Sequence, residues 1–305
     1  MVARRWLVDN RQSTIDNRQS PMPELPEVET VLQGLQKRAL GRRILAVEVR
    51  HSGVIVGSPV EFAAEIEGRA IVSIRRKGKA LALELAAENA PPRYLIVRLG
   101  MTGQFTVSPR QAPLPPHTHV LLALGEQDEL RFRDVRRFGR LRSCTREQME
   151  ALFARLGPDA QQVTEAHFLS AMRARRGAIK SWLMNQQLLA GLGNIYADES
   201  LFVAGIHPLA QPGRVSTLKA RRLFRAVRKV LDRAVKLQGT SFRDYVDIEG
   251  RPGNYEPRLR VYQRSGEACR RCGRLIRRIV IAGRSSHFCP RCQPRPRHIA
   301  KMRGA

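Results

Sequence analysis

Met22-Pro23-Glu24-Leu25-Pro26-Glu27-Val28-Glu29-Thr30 is where the chain starts to read as a folded protein. A helix is predicted from Pro26, because proline suits a first helical turn and Glu27 and Glu29 complement the positive end of the helix dipole. Val28, Val31, Leu32 and Leu35 fall on one face, and Gly41 ends the segment. The chain ahead of it has a different character. Asp9-Asn10-Arg11-Gln12-Ser13 returns as Asp16-Asn17-Arg18-Gln19-Ser20, a polar duplicate without hydrophobic periodicity. Residues 1–22 are therefore expected to form a leader that is disordered or not translated.

Downstream, short segments rich in β formers are predicted as strands: Ile44 to Arg50, Ile71 to Arg76, Leu81 to Leu85, Tyr94 to Leu99, Val120 to Leu124 and Leu130 to Val135. Leu81, Leu83 and Leu85 alternate with Ala82 and Glu84, the period of a half-buried strand. Such a series, up to about Cys144, predicts a β-sandwich or barrel. Arg146 to Leu156, Glu165 to Arg175, Ile179 to Leu188, Ile195 to Val203 and Thr217 to Leu237 read instead as helices. In the last, Phe224, Val227, Leu231 and Val235 make the predicted buried stripe, with Arg221, Arg222, Arg225 and Lys229 on a solvated face. The fold class is thus α+β: an N-terminal β-sandwich domain over 23–150, a helical domain over 151–248, and a C-terminal cysteine hairpin over 249–305.

Composition narrows the partners. The 305 residues carry a formal charge of +27, mostly from arginine, whose planar fork pairs with phosphate oxygens. Removing the leader's four arginines and two aspartates lowers this only to +25. Such an excess points to a polyanion, DNA or RNA. No apolar run approaches the roughly 18 residues that a membrane helix needs, and the N-terminus lacks the apolar core of a secretory signal. With so few cysteines for a disulfide framework, a reducing cytosolic compartment is expected.

Cys269-x-x-Cys272 and Cys289-x-x-Cys292 are separated by 16 residues, a spacing that gathers four thiolates around one tetrahedral Zn²⁺. Four protein ligands close the coordination sphere, so the ion is structural and holds a segment too small to build a core. Arg270, Arg271, Arg274, Arg277, Arg278, Arg284 and Arg291 surround the pairs, as in a nucleic-acid-binding finger, although ribosomal and transcription zinc ribbons have the same look. Cys144 stands alone and is expected as a small buried hydrophobe.

The segment from Met22 to Thr30 resembles the start of the bacterial formamidopyrimidine-DNA glycosylases, a family whose initiator methionine is removed to expose a nucleophilic proline. The similarity continues in the family's order through Arg76-Lys77-Gly78-Lys79, Leu99-Gly100-Met101-Thr102-Gly103, Asp134-Val135-Arg136-Arg137-Phe138-Gly139, Gly191-Leu192-Gly193-Asn194-Ile195-Tyr196-Ala197-Asp198-Glu199 and the zinc finger. It covers essentially the whole chain from Met22. The resemblance implies a monomeric enzyme of the bacterial cytosol that excises oxidised purines from double-stranded DNA and then cleaves the strand by β,δ-elimination. The middle domain would be of the helix–two-turn–helix kind.

The resemblance also implies roles. Pro23 would be the nucleophile, Glu24 the proton donor, Lys79 a phosphate-contacting acid in β-elimination, and Arg284 the zinc-finger arginine of δ-elimination. Glu27 would hold the terminus. Met101, Arg136 and Phe138 would fill the gap left by an extruded base, with Arg136 facing the orphaned cytosine. Asn194 would grip phosphate at a helix start, and His117 and Arg175 would make further DNA contacts. Segment 240–257 matches the family's lesion-covering loop. Taken alone, Glu24 and Glu27 are also what a first helical turn favours, Met101 and Phe138 could belong to a core, and Asn194 could be a cap.

Chemistry supports the nucleophile independently. An α-amino group ionises near pH 8, against roughly 10.4 for lysine, so more of it is neutral at physiological pH. A secondary amine that displaces the base from C1′ leaves an iminium, an electron sink for elimination. An amide nitrogen cannot do this, so the active chain is expected to begin at Pro23. Two alternatives stay open. The sister endonuclease VIII family prefers oxidised pyrimidines and usually has glycine where this chain has Leu25. A non-catalytic zinc-ribbon nucleic-acid-binding protein would follow if the leader is retained.

Overall fold

The computed structural model describes residues 22–173 and 175–296. The duplicated polar segment falls on residues 1–21 and lies outside the described residues. The chain enters through helix α1 (Leu25–Arg38), in which Glu27 stands in the first turn and Lys37 and Arg38 in the last, both in favourable alignment with the dipole. The helix stops before the expected Gly41, whose positive φ of 80° belongs to the turn beyond.

Among the described residues ten strands follow, eight of them in the N-terminal half. Strands β1 (Ile44–Val49), β2 (Ala70–Lys77), β3 (Ala80–Ala87), β4 (Ala90–Arg98), β5 (Gly103–Pro109), β6 (Thr118–Leu124), β7 (Asp128–Asp134) and β8 (Arg140–Cys144) form two antiparallel sheets, ordered β1-β6-β7-β5 and β2-β3-β4-β8. This is the expected sandwich. Helix α2 (Pro59–Ile66), capped by Ser58, packs on β1 and β8. Leu81, Leu83 and Leu85 enter the inner core with Leu95, Val97, Phe105, Leu122 and Phe132. The outer face of β3 differs from the half-buried expectation. Ala82 is also buried there, with Tyr94, Ile96, Cys144 and Met149. Met149 comes from helix α3 (Arg146–Ala154), which lies against β4 and covers that side.

Helices α4 (Glu165–Arg173), α5 (Ile179–Met184), α6 (Asn194–Ala204) and α7 (Thr217–Lys236) build the second core, around Phe168, Trp182, Ile195, Leu201, Leu223 and Leu231. The buried stripe of α7 is broader than expected. Ala220, Leu223, Ala226, Val227, Val230, Leu231 and Ala234 are buried, whereas Phe224 and Val235 lie at its border. Arg221, Arg222, Arg225 and Lys229 are exposed. The last two strands, β9 (Arg277–Ile281) and β10 (Arg284–Phe288), pair as a hairpin whose tip residues Ala282 and Gly283 both have positive φ, at 46° and 73°. That backbone suits the twist of a two-residue turn.

Helix α1 belongs to both halves. Val28, Val31 and Leu35 enter the sandwich core, while Leu25, one turn earlier, enters the helical core. A Cβ on Gly191 would lie 2.5 Å from the Leu25 side chain, so only glycine allows the approach, and the Leu25 amide donates to the Gly191 carbonyl at 3.1 Å. Full burial of side chains of this size contributes about 1.5–3 kcal/mol each.

Candidate active site

Pro23 is buried at the seam between the two halves, and Glu24 beside it reaches across to α6. The Glu24 carboxylate accepts hydrogen bonds from the backbone amides of Gly193 at 2.6 Å, Ile195 at 2.8 Å and Tyr196 at 3.4 Å. These are amides that an α-helix leaves unpaired at its start, where the dipole also favours an anion. Burial raises the Glu24 pKa above the ordinary carboxyl value, opposed by Lys79 and by the three amides. The glycine is required here. A Cβ on Gly193 would come within 2.5 Å of both the Glu24 carboxylate and the Lys79 Nζ, which therefore stand side by side.

Lys79 reaches this point from the β2–β3 turn. Gly78 supplies a positive φ of 57°, and its amide donates to the Asp159 carboxylate at 3.0 Å. Asp159 in turn holds Arg76 at 2.6 Å, and Arg76 also contacts Glu29 at 2.7 Å. The turn is thus tied to α1 and to the helical half by one buried guanidinium. Burial pushes the Lys79 pKa down; Arg284 and Arg98 push the same way, and Glu24 and Glu27 oppose them. A lysine depressed in this way gives up its proton more readily than an exposed one.

Glu27 lies one turn along α1 and is fully buried. Its carboxylate accepts the Glu24 amide at 2.8 Å, the Thr240 amide at 2.8 Å and the Tyr196 hydroxyl. Burial, with the neighbouring Glu24 charge, lifts its pKa to about 7, although these hydrogen bonds oppose the rise. Thr240 opens the segment expected to cover the lesion. Asp247 organises that segment by accepting the amides of Glu249 at 2.9 Å and Arg251 at 2.8 Å.

The cysteine hairpin closes on the same place. Lys180, from α5, is buried and donates to Asp198 at 2.6 Å and to the Ser285 carbonyl at 2.7 Å. Asp198 also accepts the His287 amide at 2.8 Å, and Glu199 accepts the amides of Val261 at 2.8 Å and Tyr262 at 3.0 Å. Ser285 receives the Asn194 side-chain amide at 3.3 Å. Arg284 is therefore carried by a strand pinned to α5 and α6, close enough to influence Lys79. Sequence reasoning gave no role to Lys180, Asp159 or Asp134. Asp198 and Glu199 lay within a quoted motif without an assigned task.

Behind the tip, the Sγ atoms of Cys269, Cys272, Cys289 and Cys292 all lie within 4.8 Å of one another. Tetrahedral zinc with Zn–S bonds of about 2.3 Å requires sulfurs about 3.8 Å apart. The amides of Arg271 and Cys292 point at the sulfurs of Cys269 and Cys289, both at 3.4 Å, as ligated thiolates require. The residues fit one structural Zn²⁺.

Met101, Arg136 and Phe138 form a second group on the sandwich. Asp134, fully buried, accepts the Thr102 hydroxyl and the amides of Gly139 at 2.7 Å and Arg136 at 3.3 Å, fastening the two loops together. Phe138 is 51% exposed, with the Arg136 guanidinium 4.7 Å from its ring centroid, and Met101 is half-buried. Neither apolar side chain belongs to a core. His117 and Arg175 are exposed. Arg175 joins neither group; its amide and carbonyl bond to Met172 and Gly213.

One chain thus combines a two-sheet sandwich, a helix whose first amides hold a buried acid, and a four-cysteine hairpin that fits zinc. The sequence profile of the formamidopyrimidine-DNA glycosylase N-terminal domain matches residues 22–141, that of the same enzyme's H2TH domain residues 156–246, and that of the zinc finger found in FPG and IleRS residues 266–295. The formamidopyrimidine-DNA glycosylase of Symbiobacterium thermophilum is 43% identical over 284 residues, covering 92% of each chain. That of Solibacter usitatus is 42% identical, over 90% of this chain and 100% of its own. Lactococcus lactis Fpg, solved in complex with abasic-site DNA, superposes with a TM-score of 0.83 at 34% identity, over 89% of this chain and 100% of that one. The chain belongs to the formamidopyrimidine-DNA glycosylase family. Among the described residues, no helix is long and apolar enough to cross a membrane.

Proposed function

We propose that the protein is a bifunctional DNA glycosylase and lyase of base excision repair, acting as a monomer in the bacterial cytosol on oxidised purines in duplex DNA. The observation that carries this reading is the buried Glu24 carboxylate, with its raised pKa, set directly after Pro23 and beside Lys79. Once the chain begins at Pro23, its nitrogen becomes a secondary amine. That amine attacks C1′ of the extruded nucleotide, the N-glycosyl bond breaks, and Glu24 delivers a proton to the departing base. The nitrogen loses its own proton, protonation of O4′ opens the C1′–O4′ bond, and the iminium so formed withdraws electrons from C2′. Loss of a C2′ proton then expels the 3′ phosphate, and a second elimination expels the 5′ phosphate. Lys79 and Arg284 bind and neutralise the leaving phosphates. Met101, Arg136 and Phe138 occupy the emptied stack, while His117, Arg175 and Asn194 hold the backbone. Glu27 keeps the amide of Glu24 in place, and zinc on Cys269, Cys272, Cys289 and Cys292 keeps the hairpin that carries Arg284.

The test is borohydride trapping on duplexes containing 8-oxoguanine opposite cytosine or thymine glycol, with the full-length and Pro23-start forms side by side. A reducible crosslink confined to the Pro23-start form, and stronger on 8-oxoguanine, is expected. No crosslink from either form would leave a zinc-hairpin binding protein; preference for thymine glycol would favour the pyrimidine-directed alternative.

A further inference from the structure

A cavity of about 580 Å³ opens on the sandwich next to the loop that carries Arg136 and Phe138. Arg50, His51, His117, His119 and Arg137 supply most of its polar wall, beside a leucine–proline stretch at 114–116, and no acid lines it. The basic groups are closely placed. The rings of His51 and His119 are 5.2 Å apart, and Arg137 Nη1 donates to His51 Nε2 at 3.1 Å. The amides of Arg50 and His51 both turn toward the His119 carbonyl, at 2.9 and 3.3 Å.

The backbone is forced into this arrangement. His117 and Arg137 are both non-glycine residues in the left-handed region, with φ of 66° and 55°. Such a conformation costs about 1–3 kcal/mol and persists only where the surroundings impose it. Both are imposed by the main chain of Asp134. Its amide donates to the His117 carbonyl at 3.0 Å, and its carbonyl accepts the Arg137 amide at 3.3 Å and His119 Nε2 at 2.8 Å. Burial, Arg137 and His119 all lower the pKa of His51, as expected where basic groups crowd together without an anion. Among the described residues no carboxylate lies in the cavity to relieve this.

We propose that this cavity receives a phosphodiester of the duplex, gripped by Arg137 and His51 with Arg50 at its rim. Asp134 then sets one backbone phosphate and the gap-filling side chains on a single frame: its main chain holds the first and its carboxylate the second. The proposal rests on the reading that the protein binds duplex DNA.

The zinc-loaded protein would be titrated with a duplex bearing a tetrahydrofuran abasic analogue across a range of KCl concentrations. Loss of one phosphate contact in Arg137→Gln is expected to make the slope of log K against log [salt] shallower by about one and to weaken binding roughly tenfold. Arg137→Lys, which keeps the charge, should restore the slope. A native slope in Arg137→Gln overturns the proposal. An equal loss in Arg137→Lys also overturns it, by marking damage to the loop rather than a lost charge. Inorganic phosphate should shift the His51 ring resonances, and the duplex should displace it. Phosphate binding with no displacement by the duplex overturns the proposal in favour of a free-oxyanion site. Native protein that binds no duplex overturns the functional reading as well; the outcomes above overturn this inference alone.

Discussion

Glu24 accepts the Gly193 amide at 2.6 Å although the two residues stand on different halves of the molecule. The acid beside the proposed nucleophile is thus also the cap of the helix that starts at Asn194. Glu24→Gln removes the proposed proton donor and places an NH₂ against amide donors. Excision of an intact lesion should fall about 10²–10⁴-fold in single-turnover assays. Cleavage of a preformed abasic site should fall much less. The melting temperature should also drop, because an unmatched buried donor costs about 1–3 kcal/mol. Equal loss on both substrates would remove Glu24 from base excision.

Glu27 predicts a pH dependence of stability. Its folded pKa of about 7 lies above the ordinary carboxyl value of 4.5, so the folded state favours the protonated form. That contribution is complete below about pH 4.5 and is lost as pH rises through 7. Relative to Glu27→Gln, the native protein should therefore lose stability between pH 4.5 and 8, on the order of 3 kcal/mol. Urea denaturation of both proteins at the two pH values checks this, and a constant difference would refute it.

Lys180 and Asp198 are a buried pair, so breaking it leaves an uncompensated charge. Lys180→Met should destabilise the protein by about 3–5 kcal/mol, while the double variant Lys180→Met with Asp198→Leu should recover part of that loss. Hydrogen exchange at residues 285–288 should accelerate first in the single variant.

Phe138 contributes little to the fold, being half in solvent. Phe138→Ala should change stability by no more than about 0.5 kcal/mol. It should nevertheless slow excision from a paired duplex, while processing of an abasic site changes little. A matching loss on both would argue against a role in filling the stack.

Much of this architecture was legible in the sequence because periodic apolar residues and fixed cysteine spacing act locally. The elements that went unread were α2, β5 and β8: β5 alternates cleanly, with Phe105 and Val107 buried, but is short and bounded by Gly103 and Pro109, and the other two carry weak local signals. In β8 only Leu141 and Cys144 are buried, between arginines, and in α2 only Phe62 and Ile66. The assigned residues Glu24, Lys79 and Asn194 gather at one point, whereas Arg175 joins neither cluster. What could not be read was the support. Asp159 reaches Arg76 across 83 positions and Lys180 reaches Ser285 across 105. No spacing rule links residues so far apart, and a lysine or aspartate that is buried looks the same in sequence as one on the surface.

Because Leu25 is rooted in the helical core while Val28, Val31 and Leu35 of the same helix are rooted in the sandwich, separating the two halves would draw one end of α1 out of its packing. Pro23 therefore sits at a fulcrum rather than at the lip of a moving jaw. Under the proposed function, a duplex meeting this seam would have to do the bending itself, which costs least at flexible steps.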